Sequence, residues 1–450
     1  MRRLRAVVVV GLTAVVPRYA HAAELTRVAS SFDEGHPFGL FVDLGFERTQ
    51  RLESIVREVH TGPPDNLLTT APALRYASQD LRLSLDLHAG LWHDIEFHYG
   101  IPLIFAQSEE WWSSSASGAV GINTCVRPDG SLLNPSCGNT GNGAVSMFPT
   151  TAPTPPIGTT SGTPQVQRGG FGNMRFGMSW AAFNQVRDET KPTWVVGLEY
   201  EAPTADRLDP SVLTSDASRG AIGDRIHKYQ LWSAFSRRIG VVDPYVKVNV
   251  TLPYRGPAWY SNCDNPDPTR MGAAANCGLT EWSRDATGIQ APYNAGITAG
   301  SEFVVFDQPA KKQRFTLDAR AYSTYFSPGR YYNELSGLTR KLMYSGDYVQ
   351  VGGSIALLAG VADYLTLRAR ATLSYESDHA LSNESIVNCI PDPNATVVVN
   401  VCESNLDQYV VANPDKVNPN FDYRMDLVGR QLRATAVYLF NVQISASFNF

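Results

Sequence analysis

The chain of 450 residues lacks the features that mark helical membrane proteins and the common cofactor-dependent enzymes. Beyond the first 22 residues, no stretch approaches the roughly 18 to 20 consecutive apolar residues that a membrane helix needs. No Walker, Rossmann or H-E-x-x-H motif is present, so we expect neither a cofactor nor a metal. Basic runs are also absent from a chain whose formal net charge is -5, which argues against nucleic acid as a partner.

Cysteine is scarce, and its positions are informative. The six cysteines fall two to a segment, and pairing neighbours predicts three local disulfides: Cys125 with Cys137, Cys263 with Cys277, and Cys389 with Cys402. Each would close a loop of about 12 to 14 residues and contribute roughly 3 kcal/mol in the chain-entropy model. Zinc is a weaker alternative, because the spacing is wide and histidines do not lie beside the cysteines. The disulfides imply an oxidising compartment.

Acidic residues near the second cysteine pair leave one further alternative open. Asp264, Asn265 and Asp267 surround a Pro-Asp step, which is typical of a type I turn. Their oxygen-rich side chains also allow a calcium site, although the spacing matches no calcium-binding loop.

The first 37 residues read as an export signal followed by a leader. Three arginines within the first five residues precede an apolar run from Ala6 to Val16 and a break at Pro17. Ala20-His21-Ala22 then forms an A-x-A cleavage site. We therefore expect residues 1–22 to be a secretory signal peptide and residues 23–37 to be a periplasmic leader.

The last stretch, from Gln431 to Phe450, has the period of a strand. Its even-numbered residues from Ala434 onward are all apolar, whereas its odd-numbered residues are mostly polar. Such a long apolar face would be an aggregation hazard on a soluble sheet, so lipid is its expected cover. The terminal Phe450 resembles the signal that the bacterial barrel assembly machinery reads.

The same alternation recurs along the chain and predicts about twelve strands, the first beginning at Phe38. Five hairpins have turns near Gly90 to Asp94, Arg187 to Pro192, Gly240 to Asp243, Asp307 to Gln313, and Gly360. Short turns alternate with long connections, which is the layout of an outer-membrane barrel. We therefore predict an all-β fold, a transmembrane antiparallel up-and-down β-barrel over residues 38–450, in the bacterial outer membrane. A soluble sandwich or jelly roll also alternates, but such long loops are uncommon in compact domains.

If the apolar face meets lipid, the opposite face lines a lumen. The ionisable residues of that face are Arg82, Asp86, His88, Glu96, His98, Arg175, Glu199, Glu201, Lys247, Glu302, Asp318, Arg320, Arg368 and Arg370. So many charges at membrane depth require water or one another as neighbours. The pattern predicts a polar, partly open pore, and an ion-pair network that plugs the barrel is the alternative.

Histidines and acids around the first hairpin raise the possibility of an enzyme. A provisional pairing sets His88 opposite Glu96 and Asp86 opposite His98, with Ser84 one step further along. Acid, histidine and serine together are typical of hydrolases. No G-x-S-x-G motif accompanies them, so we expect no enzyme and retain a lipid hydrolase only as an alternative.

Three segments carry a resemblance to a known family: the stretch from Gly90 to Leu103, Gly170 to Gly177, and Gly197 to Thr204. With the last strand, they resemble the outer-membrane barrels grouped with a phenol-degradation pathway and, more distantly, the long-chain fatty acid transporters. The resemblance implies uptake of hydrophobic substrates. The chain departs from that family in its disulfide-bearing loops and in a leader too short for an N-terminal hatch.

Together these observations predict a channel or passive diffusion transporter for small molecules, with hydrophobic or aromatic solutes as one option. Its expected partners are outer-membrane lipid and lipopolysaccharide, the barrel assembly machinery and a small-molecule solute. The alternative is a surface-exposed structural or binding barrel without transport, whose loops, carrying Trp111, Trp112 and the disulfides, bind a partner.

Overall fold

The computed structural model describes twelve long strands and most of the segments between them. The described residues are 23–29, 39–60, 67–114, 125–126, 132–133, 145–148, 165–215, 217–266, 274–279, 281–311, 313–362, 364–387 and 411–450.

The twelve long strands form one antiparallel sheet in which each strand pairs with its neighbours in sequence. They are β1 (Leu40–His60), β2 (Leu68–Trp92), β3 (Ile95–Ser113), β4 (Met174–Phe183), β5 (Thr193–Ala202), β6 (Ile226–Ser236), β7 (Val242–Arg255), β8 (Asn294–Gln308), β9 (Gln313–Phe326), β10 (Tyr348–Ala362), β11 (Leu365–Glu376) and β12 (Leu432–Asn449).

The last strand closes the sheet into a barrel. β12 pairs with β11 on one side and with β1 on the other, in registers that set Leu365 opposite Phe448 and Phe41 opposite Asn449. Closure leaves the ring of twelve without an open edge, which is how β-structure satisfies its backbone hydrogen bonds in lipid. The predicted twelve-stranded up-and-down barrel is confirmed.

The outer surface of the barrel is apolar. Large exposed side chains of its outward register include Leu44, Phe46, Met178, Leu198, Leu231, Val248, Ile297, Leu317, Ile355, Leu357, Phe440 and Ile444. An apolar belt of this kind on a closed antiparallel barrel is the mark of a bacterial outer-membrane protein, and this confirms the predicted location. Among the described residues, no helix is long and apolar enough to cross a membrane.

Aromatic ladders run across neighbouring strands at both ends of the barrel. On the short-turn side, the Trp194 ring lies 5.7 Å from that of Phe183 and 5.4 Å from that of Phe235. On the other side, Tyr229 stacks on Tyr200 at 4.9 Å and meets the edge of Tyr254 at 5.8 Å. Belts of this kind belong at the two lipid–water interfaces.

Short turns alternate with long connections, as the sequence predicts. The turn between β2 and β3 consists of two residues, His93 and Asp94, with φ of 51° at His93. Short elements lie in the connections: the helices Arg284–Thr287 and Ser336–Thr339, the 3-10 turns Asn262–Asp264, Ala274–Asn276, Pro309–Lys311 and Pro414–Lys416, and the strands Cys125–Val126, Leu132–Leu133, Val145–Ser146, Gln165–Phe171, Gly329–Tyr331, Met343–Ser345 and His379–Ala380.

A β-bulge in β12 changes which face of the strand meets lipid. Ala436 adopts a positive φ of 51°, and the pairing with β1 shifts between Leu52 and Ser54. Because a bulge adds one residue to one strand, the alternation reverses beyond it. Ala434 is therefore fully buried inside the barrel, and the prediction that every even-numbered residue from Ala434 faces lipid is wrong at this end.

Beyond this bulge, the long-loop ends of β1, β2, β3 and β12 enclose an apolar core. We call the loops packed against this core the cap: residues 145–148, 327–347, 377–387 and 411–431. The core is formed by Ile55, Ala73, Leu74, Tyr76, Trp111, Val126, Met147, Phe148, Val166, Leu335, Leu338, Met343, Leu381, Met425, Leu432, Ala434 and Val437. The cap thus folds inward over the barrel on the long-loop side.

Candidate functional site: the lumen

The short-turn end of the lumen holds residues 23–29, which we call the N-terminal segment. Ala23 and Ala29 are fully buried, and the Glu24 carboxylate forms an ion pair with Arg368 of β11. The Glu24 amide donates to the Glu302 carboxylate of β8 at 2.6 Å. Residues 23–29 of the predicted periplasmic leader therefore lie within the opening of the barrel, where the charged wall supplies partners for their backbone and side chains. Residues 30–37 lie outside the described part.

Further contacts spread the N-terminal segment across several strands. The Thr26 hydroxyl lies 2.7 Å from that of Ser236 in β6. The Arg27 guanidinium covers the Phe41 ring of β1 at 4.3 Å from its centroid. On β3, Glu96 accepts a hydrogen bond from the Ala29 amide at 2.5 Å. The segment therefore crosses the opening rather than following one wall.

Above the N-terminal segment lies the lower cavity, of about 330 Å³. Eight of the fourteen residues predicted for the lumen line it: Asp86, His88, Glu96, His98, Arg175, Glu199, Lys247 and Arg368. Five carboxylates and four cationic side chains surround the space, so its charges are nearly balanced.

The upper cavity, of about 470 Å³, lies between the lower cavity and the cap. Arg82, Arg175 and Glu201 of the predicted set line it, together with Tyr331 and Tyr332 from the cap. The Tyr331 hydroxyl donates to Asp224 at 2.5 Å, and Lys228 binds Asp224 at 2.8 Å and Glu201 at 2.9 Å. Burial alone would raise the pKa of Asp224, but Lys228 and the hydrogen bonds hold it below its ordinary value.

The two cavities meet at Arg175, which lines both. Its Nη2 atom lies 2.8 Å from Oδ1 of Asp86, a pair that joins β4 to β2 across β3. Between them on β3 stands Gly100, where any side chain would collide with the Asp86 carboxylate. Glycine is therefore required here so that the pair can form over the strand.

The remaining predicted residues form a buried cluster next to the N-terminal segment. Arg320 and the Tyr245 hydroxyl both bind the Asp318 carboxylate. Arg370 extends the cluster, because its Nη2 atom lies 3.9 Å from the Asp318 carboxylate and 3.6 Å from that of Glu24. The lumen thus contains both of the features that the sequence left open as alternatives, namely cavities and an ion-pair network.

Some lumen residues were missed at the level of sequence. Around Arg51, in the roof of the upper cavity, carboxylates of three elements converge: Glu53 at 2.9 Å, Glu334 at 2.6 Å and Glu376 at 2.8 Å. The odd-numbered register of β1 contains Arg51 and Glu53, so continuing the alternation past residue 49 would have found them. Glu24 and Arg27 carry no such signal, because they lie in no strand.

The hairpin at β2 and β3 is paired differently from the provisional register. His88 lies opposite His98, and Asp86 lies opposite Gly100, because β2 runs on to Trp92 with a bulge between Gly90 and Trp92. His88 still reaches Glu96, with 2.8 Å between Nδ1 and Oε1. Its Nε2 faces Asp43 at 3.7 Å, and Nε2 of His98 faces Glu199 at 3.3 Å. The histidines therefore engage carboxylates rather than the Ser84 hydroxyl.

One of the predicted disulfides is confirmed. Cys263 and Cys277 are bonded, with their Cα atoms 5.5 Å apart. Cys125 is also in a disulfide, while Cys137, Cys389 and Cys402 lie outside the described residues. The Asp264 carboxylate binds Arg284 at 2.7 Å and accepts a hydrogen bond from the Ser261 amide, so it makes both contacts within this loop. Asp267 lies outside the described residues.

Comparison with known proteins finds similar solved structures at low sequence identity. No family model and no curated protein matches the chain. Solved structures that are similar include the COG4313 outer membrane channel from Pseudomonas putida F1, at 8% identity and a TM-score of 0.42, covering 92% of this chain and 96% of that one. A FadL homologue from Pseudomonas aeruginosa gives 10% identity and a TM-score of 0.35, covering 91% and 90%. The outer membrane protease OmpT from Escherichia coli gives 7% identity and a TM-score of 0.28, covering 92% and 97%.

Proposed function

We propose that this protein is an outer-membrane channel through which small molecules diffuse passively. The observation that carries the proposal is the pair of cavities that lie in series along the barrel and meet at Arg175. Water-filled polar space at membrane depth is costly for a merely structural barrel to retain, since packed side chains would be more stable. Such space is what a diffusing solute requires.

The lining of the cavities suggests which solutes fit. In the upper cavity, apolar and aromatic surface from Tyr76, Ile104 and Tyr332 lies beside charged groups. Small molecules that combine an aromatic or other apolar body with a polar group match this lining, because each part finds complementary contacts. A fully apolar solute would have to displace water from the charged lower cavity without replacing its hydrogen bonds.

The N-terminal segment and the cap narrow the route at its two ends. The segment is held by ion pairs and hydrogen bonds, such as those of Glu24 with Arg368 and Glu302, and it belongs to no strand of the barrel. We therefore propose that its displacement widens the short-turn opening, and that solute passes the cap through local opening of its loops.

Conductance of the refolded full-length protein in a planar bilayer tests the proposal. We expect measurable current and solute-driven liposome swelling, both increased in a variant that lacks residues 23–29. Migration of unheated and boiled samples on a gel verifies that each variant is folded. Folded protein that gives no current and no swelling, with or without the segment, would contradict channel function.

The compact core of the cap favours a second candidate, a barrel whose surface binds a partner without transport. Trp111 cannot serve that role, because its side chain is fully buried and its Nε1 donates to the Glu334 carbonyl at 2.7 Å. Trp112 remains partly exposed and is the available member of the pair. The conductance experiment distinguishes this candidate from the channel.

A further inference from the structure

We propose that the lower cavity contains a binding site for a divalent transition-metal ion such as Zn²⁺, formed by His88, Glu96 and His98. One ligand atom from each residue lies within 4.8 Å of the others. Two imidazole nitrogens and a carboxylate are the donors that zinc and its neighbours in the first transition row prefer. The proposal concerns binding and is independent of whether the barrel conducts.

The hairpin geometry brings these three side chains together. His88 and His98 are directly opposite each other on β2 and β3, and their rings stack with centroids 5.6 Å apart. Glu96 stands two residues before His98 and therefore on the same face of β3. The bulge next to Trp92 sets the register that lets Glu96 contact His88 diagonally.

The surrounding wall is shaped to hold the imidazoles. Gly177 of β4 faces His98, and any side chain there would occupy the space that the ring fills. The Nε2 atom of His98 is buried and satisfies no hydrogen-bond geometry, although Glu199 lies 3.3 Å away. A buried ring nitrogen without a hydrogen bond is costly, and a metal bond would remove that cost.

Two further carboxylates are placed where metal sites usually have supporting groups. Nδ1 of His88 faces Glu96 while its Nε2 faces Asp43 at 3.7 Å. This is the arrangement in which one nitrogen binds the metal and the other donates to a carboxylate that orients the ring. Glu199 lies 3.3 Å from Nε2 of His98, the nitrogen proposed to bind the metal, and is therefore close enough to become a fourth ligand.

Small side-chain rotations suffice to complete the site. Ligand atoms around a tetrahedral zinc at roughly 2.0 to 2.2 Å lie about 3.3 Å apart, compared with separations of up to 4.8 Å here. The hydrogen bond between His88 and Glu96 would give way to two metal bonds, while the backbone of all three residues stays fixed in strands. The nearly balanced charge of the lower cavity does not exclude a dication.

Calorimetric titration of the folded full-length protein with ZnCl₂, and with MgCl₂ as the hard-cation control, tests the site. We expect one saturable zinc site per chain and no comparable binding of magnesium, which prefers oxygen ligands. His98→Gln and His88→Gln should each weaken zinc binding by about tenfold or more. His93→Gln is the matched control, because His93 belongs to the turn of the same hairpin and lies outside the site. This variant should bind zinc as tightly as the unaltered protein does.

A spectroscopic measurement covers the case in which a variant fails to fold. Co²⁺ added to the unaltered protein should give visible absorption bands of a low-symmetry site with nitrogen and oxygen ligands, which excess Zn²⁺ abolishes. Unaltered protein that takes up no zinc, or a His88→Gln/His98→Gln double variant that binds zinc with undiminished affinity, would overturn the proposal.

Discussion

Arg175 and Asp86 form an ion pair, 2.8 Å long, at the boundary between the upper and lower cavities. The pair spans three strands and depends on Gly100 between them. Because Arg175 contacts both cavities, it is the residue that a solute passing from one to the other must meet.

Replacing Arg175 by alanine should widen the connection between the cavities and leave Asp86 without its cation. We expect larger single-channel conductance and a shift toward cation selectivity, since one positive charge leaves the lumen. Conductance and reversal potential in a salt gradient measure both effects. Lys191→Ala is the control, because it removes the same charge from an exposed turn. Equal conductance and reversal potential in the Arg175 and Lys191 variants would show that this boundary does not control passage.

Trp111→Ala should destabilise the cap. The side chain is fully buried against Tyr76, and its removal should lower the free energy of cap unfolding by about 3 to 5 kcal/mol. Hydrogen exchange and protease cleavage of cap peptides report this loss. The adjacent Trp112→Ala, on the opposite face of β3, should have a much smaller effect. Similar exchange rates in the two variants would contradict the assignment of Trp111 to the core.

Acidification should stabilise the cap through Asp426. Burial raises the pKa of Asp426 to about 7 from its ordinary value, and the nearby Glu384 and Asp422 also favour the neutral form. The folded state therefore binds a proton more tightly than the unfolded state. The resulting stabilisation is complete below the ordinary pKa and is lost as the pH rises through about 7.

We accordingly expect slower protease cleavage of the cap at pH 5.5 than at pH 8. Asp426→Asn should flatten this dependence, at the cost of one of the two backbone hydrogen bonds that Asp426 accepts from Glu384 and Asp422. A variant with an unchanged pH profile would assign the effect to other groups of the cap.

Phe450→Ala separates the role of the terminal side chain in assembly from its role in the folded barrel. The Phe450 side chain is largely exposed, whereas its amide donates to the Leu40 carbonyl at 2.9 Å. The substitution keeps that backbone bond, so we expect a lower yield of assembled protein in cells and unchanged conductance of the folded fraction. Deletion of Phe450 also removes the backbone bond and should lower the yield further. Normal yield of both variants would contradict an assembly signal at this residue.

The period-two pattern predicted the barrel because it is a local property of each strand. Residues such as Ile355 and Phe440 face lipid, as the alternation indicates, since lipid imposes the same rule on every strand. A bulge breaks the rule without a clear mark in the sequence. Ala436 is an ordinary alanine in a strong strand pattern. Its positive φ and the accompanying register shift against β1 are visible only in the structure.

The lumen was less predictable, since its contacts join distant parts of the chain. Alternation identified His88, Glu96 and His98 as inward-facing, but the bulge near Trp92 decided which of them meet. The N-terminal segment was missed because its partners, such as Arg368, lie on strands far along the sequence. No local pattern predicts whether a polar leader enters a barrel.

The position of the N-terminal segment implies that the narrowing of the short-turn opening is energetically separate from the stability of the barrel wall. The segment contacts the barrel through side chains and through single backbone amides that donate to side chains, as at Glu24 and Thr26. None of these contacts belongs to the hydrogen-bond ladders between strands. Withdrawing the segment toward the periplasm would exchange these contacts for water while all twelve strands keep their partners. A force or a binding partner that acts from the periplasmic side could thus widen or narrow the short-turn opening without straining the fold.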